Sequence, residues 1–301
     1  MKTTIKGASI AALSILLAVP AFADPQVTIK SGRFQSAKEK NAVKAMRMKQ
    51  GYKGDTEARE LGNKLFKAAR KSEAVDLKAD KSNALQHVSK SDPSAHFRID
   101  KTTGDFSFHK GFKEFANNRA TANLPSKDGA PEVAKKHLAA LGLLPDNQEE
   151  MVLKHVGGIN QVDLEDGKVV GEFKKIVTVH FGRQIDGIDV GGPGSKIIVE
   201  LGANGDLVGV HKRWIDYRVE QKADTDLKGQ SEVVNELRGN LRSEASKAKR
   251  ADSTAPDFGY YDDGKGNIEP AYFYLADLEY DSTDEEGKPK ALKEKYLGVV
   301  P

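Results

Sequence analysis

Apolar residues recur along this chain with two different periods, and each change of period marks an element. In "TEARELGNKLFKAAR", Ala58, Leu61, Leu65 and Ala68 stand three or four residues apart, the spacing of one helix face, with Thr56 placed to cap it. A weaker helical pattern covers Ala37 to Met48, and Ser72 to Ser94 is polar and reads as a linker. Then the period drops to two. Phe97 and Ile99, a Thr-Thr-Gly-Asp turn, and Phe106 and Phe108 predict a β-hairpin. The helical period returns at Val133, Ala134, His137, Leu138 and Leu141, with Pro131 in the first turn and Gly142 and Pro145 closing the helix.

Four strands are expected next: Met151 to Val156, Glu172 to Phe181, Ser195 to Leu201 and Asp206 to Tyr217. Val233, Val234, Leu237 and Leu241 then predict a helix capped by Ser231, and strands at Pro270 to Tyr280 and Lys293 to Val300 follow. Strand runs punctuated by single helices predict an α+β fold of antiparallel sheets, each covered by a helix, with a helical N-terminal extension.

Residues 1–23 change that picture at one end. Lys2 and Lys6, an apolar run from Ile10 to Val19, and Ala21-Phe22-Ala23 read as a cleaved secretory leader. The expected location is therefore the periplasm or the medium. The run is shorter than the roughly 20 residues that span a bilayer. The chain has no cysteine, which removes disulfides, thiolate nucleophiles and zinc-thiolate sites. Basic residues outnumber acidic ones about two to one from Lys30 to Lys81, and the balance reverses from Asp252 to Pro289. No nucleic-acid-binding motif accompanies the basic part, so solvated helix faces explain it better.

The stretch "FGRQIDGIDVGGPGSKIIVEL" poses the sharpest chemical question, because its "GPGSK" hints at a phosphate loop. Such a loop needs a helix behind it. Here β-branched "IIVEL" follows, a strand sequence, and neither the Walker nor the Rossmann glycine spacing is met. Gly187 is expected to bend or bulge a strand, and Gly192, Gly194 and Gly205 to serve strand connections.

"VHFGRQIDGIDVGGPGSKIIVELGANGDLVGV" resembles the strand pair in propeptides of thermolysin-like and fungalysin-like metallopeptidases, through Phe181, Gly187, Ile188, Val190, Gly192, Ile197, Val199 and Gly205. Arg183 stands where that family usually has Gln. "FRIDKTTGDFSF" and "APEVAKKHLAALGLL" resemble the family's opening hairpin and its next helix. "SEVVNELRGNLRSEASKA" with "IEPAYFYLADLEY" resembles a PepSY unit. The resemblance implies a leader (1–23), a basic helical extension and linker (24–93), a propeptide-like module (94–219) and a PepSY-like module with an acidic C-terminal part (220–301). The chain stops about where a precursor's peptidase domain would start.

Catalytic chemistry finds little support. The seven histidines include no pair within four residues, so no helix offers two to one metal. No Gly-x-Ser-x-Gly elbow is present. Asp224, Asp226 and Gly229 begin a calcium-loop pattern that Lys228 and Asn235 break, and "YDDGKGNIE" reads as a solvated turn. No catalytic residue, metal or cofactor is expected. His137 reads as a hydrogen-bonded core histidine. In the cluster His211-Lys212-Arg213-Trp214, a strand with Trp214 facing a core competes with an anionic-partner or cation–π role for Arg213 and Trp214.

The resemblance implies a non-catalytic inhibitor or folding chaperone that binds a secreted metallopeptidase in trans. The strand Lys293 to Val300 would add to the enzyme's cleft edge, with Tyr296 and Leu297 in apolar subsites and the Pro301 carboxylate near the zinc. The alternative is a cell-envelope interaction protein without a peptidase role.

Overall fold

The computed structural model describes residues 26–32, 34, 45–48, 51–220, 228–283 and 287–301. The expected leader and Asp224 and Asp226 lie outside these residues. Of the helix expected over Ala37 to Met48, only the last four residues are described, and they form a strand. In chain order the strands are β1 (Gln26–Ile29), β2 (Ala45–Met48), β3 (Lys78–Ala79), β4 (Ala84–Val88), β5 (Ala95–Asp100), β6 (Phe106–Lys110), β7 (Met151–Glu165), β8 (Lys168–Ile185), β9 (Ile188–Gly191), β10 (Lys196–Leu201), β11 (Leu207–Arg213), β12 (Tyr217–Glu220), β13 (Arg250–Ser253), β14 (Asp257–Asp262), β15 (Asn267–Thr283) and β16 (Pro289–Val300). The α-helices are α1 (Asp55–Ala68), α2 (Ala130–Leu141) and α3 (Gln230–Glu244).

These strands form one mixed sheet of sixteen, which overturns the expected α+β fold of separate helix-covered sheets. Two turns explain the difference. Asp166-Gly167 and Asp186-Gly187 both have positive φ at each residue, the geometry of a two-residue hairpin turn that matches strand twist. The first joins β7 and β8 as one long hairpin, extending strands expected to stop at Val156 and to start at Glu172. The second folds β8 back onto β9, so Gly187 sits in a turn rather than a bulge. Because β9 then pairs in parallel with β14, the ladder passes from the first half of the chain into the second.

The half built from β3 to β8 with β10 and β11 is antiparallel throughout. Its strands β3 and β4 lie in the segment expected as linker. Phe97, Phe108, Phe181, Val199 and Val210 meet Leu65 and Phe66 of α1 and Ala134 and Leu138 of α2 in one core. The Phe66 and Phe108 rings pack edge to face at 5.2 Å. Helix α1 begins after Gly54, not Thr56, and α2 ends at Gly142 in the left-handed conformation. Val233, Leu237 and Leu241 of α3 build a second core with Tyr260, Tyr272, Tyr274 and Val300. Its N-cap is Gly229, two residues earlier than the Ser231 expected.

Candidate functional site

Alternation along β11 divides the His211-Lys212-Arg213-Trp214 cluster between two faces. Lys212 pairs with Phe106 and Ile197, both core residues, and so points to the core side with Trp214 beyond it. There the two line a cleft of about 340 Å³ between α1, the β5–β6 turn and the end of α2. Tyr52, Leu61, Ile99, Phe106 and Leu143 give it apolar walls, and Lys53, Glu57, Glu60 and Lys64 stand around it. One wall depends on glycine. A side chain on Gly51 would fall on the Thr103 carbonyl, and one on Gly104 would fall on the backbone of Gly51, so the two segments touch main chain to main chain.

Trp214 is 6 % exposed and its indole nitrogen is buried without an acceptor. Among the described residues Lys212 makes no hydrogen bond or ion pair. Burial pushes its ammonium below the ordinary lysine range, opposed by Asp216 and Asp146 and reinforced by Lys53.

Behind Trp214 lies Arg183, 1 % exposed. Its guanidinium sits 4.2 Å from the indole centroid and 5.3 Å from the Tyr217 ring, so the cation–π contact exists but with a residue distant in sequence. Arg183 donates to the Ile215 carbonyl at 2.9 Å and to Ser195 Oγ at 3.2 Å, and its Nε is 3.3 Å from Glu150 Oε2. The Tyr217 hydroxyl donates to the other oxygen of Glu150 at 2.6 Å. Arg183 holds the same strand parity as Val179, Phe181 and Ile185. A charge at a core-facing position was the signal in the sequence that a polar network lay there.

The glycine-rich turn now has a structural role. Gly192 has φ +104, and a side chain there or on Gly194 would collide with Asp262 of β14. Ser195, at φ +53, donates to Asp262 Oδ2 at 2.6 Å. The turn is therefore wrapped around a carboxylate of the second half. Asp262 is 0 % exposed, and burial raises its pKa. It corrects the expectation of a solvated turn. Its neighbour Asp263 does fit one, accepting from the backbone N–H groups of Lys265, Gly266 and Asn267. Gly205, at φ +75, ends the Ala203–Gly205 turn, and its carbonyl accepts a 2.8 Å bond from His137 Nε2 of α2.

On the opposite face, strand pairing gathers histidines that the sequence keeps apart. His155 pairs with His180, and His96 with His109; both pairs share a face with His211. Glu200 reaches across Gly209, where a side chain would displace its carboxylate, to stand 3.5 Å from His109 Nε2 and 3.7 Å from His211 Nε2. Burial holds His109 and His180 below the ordinary imidazole range, with Glu200 opposing. Among the described residues no group of three such side chains converges on a point that suits a metal ion. Arg213 also faces this side, exposed, near the Pro193 carbonyl and Asp105.

The remaining sequence candidates are at the end of the chain. Tyr296 packs on the second core, 6.2 Å from the Tyr274 ring, whereas Leu297 is 70 % exposed and Pro301 is exposed. Strand β16 pairs along its length with β15, and among the described strands it has no partner on its other edge. The same holds for β7, which pairs only with β8. The β7–β8 hairpin was not singled out in the sequence, yet its outer part exposes Val162, Leu164, Val169 and Val170. Leu164 and Val169 face each other across the strands.

No family model matches this chain, and no curated protein matches it. Among solved structures, the chain is similar to an uncharacterized protein from Eubacterium rectale, at 10% identity and a TM-score of 0.49, over 84% of this chain and 82% of that one.

Proposed function

We propose that this protein is an exported, non-catalytic binding protein whose ligand is another protein, and that it engages the partner by strand edges. One observation supports this most directly. Among the described strands, two long hairpins, β7–β8 and β15–β16, each leave an outer strand paired on one side only, and both outer strands carry exposed apolar side chains: Leu153 and Leu164 on one, Leu292 and Leu297 on the other. An edge strand supplies main-chain hydrogen bonds to an extended segment, and apolar side chains beside it supply the burial that makes such pairing stable.

The partner class follows from the resemblance to metallopeptidase propeptides: a secreted zinc peptidase of the thermolysin kind, held as inhibitor or chaperone. Tyr296 packs inward, so the β16 route relies on Leu297 and the strand edge rather than on Tyr296. The test is residual peptidase activity of a thermolysin-like enzyme titrated with the purified protein, alongside Leu297→Asp and Leu164→Asp. Inhibition weakened by either substitution supports the reading. Full peptidase activity at micromolar protein overturns the peptidase partner. If crosslinking in native extract then captures wall polymer alone, the protein-binding reading is overturned as well.

A further inference from the structure

We infer that His155 of β7 and His180 of β8 form an open chelating site for a divalent transition-metal ion, copper(II) by preference, on the sheet face opposite α1 and α2. The inference stands apart from the strand-edge reading above and needs no protein partner. Spacing along the chain rules out a helical histidine pair, but strand pairing supplies one, because the two residues are direct cross-strand partners. Their rings lie 5.8 Å apart centre to centre, at 63° to each other. A metal–imidazole bond is about 2 Å and a ring nitrogen lies about 1 Å from its ring centre, so two imidazoles on one ion have centres no more than about 6 Å apart. The pair meets that limit.

Three polar atoms border the same small space. A side chain on Gly157 would begin 2.8 Å from His155 Nε2 and 3.2 Å from Thr178 Oγ1. That hydroxyl is in turn 3.2 Å from His180 Nε2. Glycine at 157 therefore leaves the ring nitrogens room to share an ion, the close approach that a glycine inside a strand often marks. His155 is exposed and His180 half-buried, so an ion reaches the pair from solvent.

The other histidines of this face do not compete. His96 and His109 are also cross-strand partners, but their rings are 6.5 Å apart and nearly parallel, beyond the reach of one ion. His109 Nδ1 already accepts from the Gly111 N–H at 2.8 Å, and Phe112 stacks on the ring at 4.0 Å. His211 stands 3.7 Å from Glu200, and Ile198 of β10 lies between it and His180.

The ligand set selects the ion. Among the described residues no third His, Asp or Glu joins the pair. A structural zinc site takes four protein ligands, and calcium and magnesium take oxygen. Copper(II) binds nitrogen donors most tightly of the first-row divalent ions, so two imidazoles hold it with water completing its coordination.

The test titrates the full chain, free of any affinity tag, with copper(II), nickel(II) and zinc(II) by calorimetry, and records the copper(II) electron paramagnetic resonance spectrum. One copper ion per chain is expected, bound more tightly than nickel or zinc, with coupling to two imidazole nitrogens. His155→Gln and His180→Gln should each weaken binding at least about tenfold, since even an outer-shell partner of a metal is worth that much. His96→Gln should leave it unchanged. Gly157→Ala keeps both imidazoles but fills the space between them, and should weaken binding as well. No saturation below about 100 µM copper, full binding in either His155→Gln or Gly157→Ala, or an equal loss in His96→Gln overturns the inference. If His180→Gln does not fold, the nitrogen count decides. A fall from two to one in His155→Gln sustains the assignment, and an unchanged count removes it.

Discussion

The Ser195 hydroxyl donates a 2.6 Å hydrogen bond to Asp262, joining two residues 67 positions apart. The same hydroxyl accepts from Arg183, so one small side chain connects a buried cation with a buried anion at the passage from one half of the sheet to the other. Ser195→Ala leaves the Asp262 carboxyl short of a donor and Arg183 short of an acceptor. Loss of about 1–3 kcal/mol is expected, read as a lower denaturant midpoint with an unchanged slope. A change below about 0.5 kcal/mol would show that the network does not fasten the halves together.

Asp105 carries a pH signature. Burial raises its pKa to about 6, although Arg213 pulls the other way. A carboxyl whose folded pKa lies above its unfolded value contributes stability that is fully present below the unfolded pKa and lost as pH rises through the folded one. Asp105→Asn should therefore stabilise the protein at pH 7–8, by on the order of 1 kcal/mol after solvent screening, and change little near pH 4. Thermal melts of both proteins across that range give the comparison, and equal melting temperatures at pH 8 would refute it.

His109 runs in the opposite direction. Burial lowers its pKa while Glu200 holds it up. An imidazole with a depressed folded pKa contributes stability that is present above its unfolded value and lost as pH falls through the folded one. Glu200→Gln removes the opposing charge and should move the His109 titration further down, visible in the imidazole proton shifts by NMR. An upward movement would mean that the carboxylate does not govern that ring.

The hairpin turn at Asp186-Gly187 should resist substitution. Gly187 has φ +77, and no atom lies within 4 Å of where a side chain would start, so the strain is conformational rather than steric. Gly187→Ala is expected to cost about 1 kcal/mol. Gly187→Asn, whose side chain tolerates that conformation, should cost less. Equilibrium unfolding of the two variants separates these values, and equal losses would point to a cause other than φ.

Buried aromatic packing gives a larger effect. Phe108 is fully buried against Phe66 of α1, so Phe108→Ala should cost about 3–5 kcal/mol. The shift in denaturant midpoint measures it, and a loss below about 1 kcal/mol would mean that α1 does not depend on that contact.

Much of the local structure was written in the sequence. The period of Ala58, Leu61 and Leu65, the Pro131 and Gly142 bracket, and the alternation from Phe97 to Phe108 are set by steric preferences over a few residues, and the corresponding elements are there. Asp166-Gly167 and Asp186-Gly187 also carry a hairpin signal, yet Gly187 was expected to bend or bulge a strand and no turn was expected at Asp166-Gly167, so the strands around both are longer than expected. The outer part of β7 and β8 hid their length, because a two-stranded arm with little core beneath it lacks a buried face to impose alternation.

What the tertiary structure alone decided is which distant residues meet. Local pattern fixes the face on which Arg183, Lys212 or His180 points, but not its neighbour, because strand pairing is chosen by the burial of whole faces across the chain. The arrival of Asp262 inside the glycine-rich turn, the stacking of Arg183 on Trp214, the gathering of five histidines on one side and the fusion of two expected sheets into one all follow from that long-range choice.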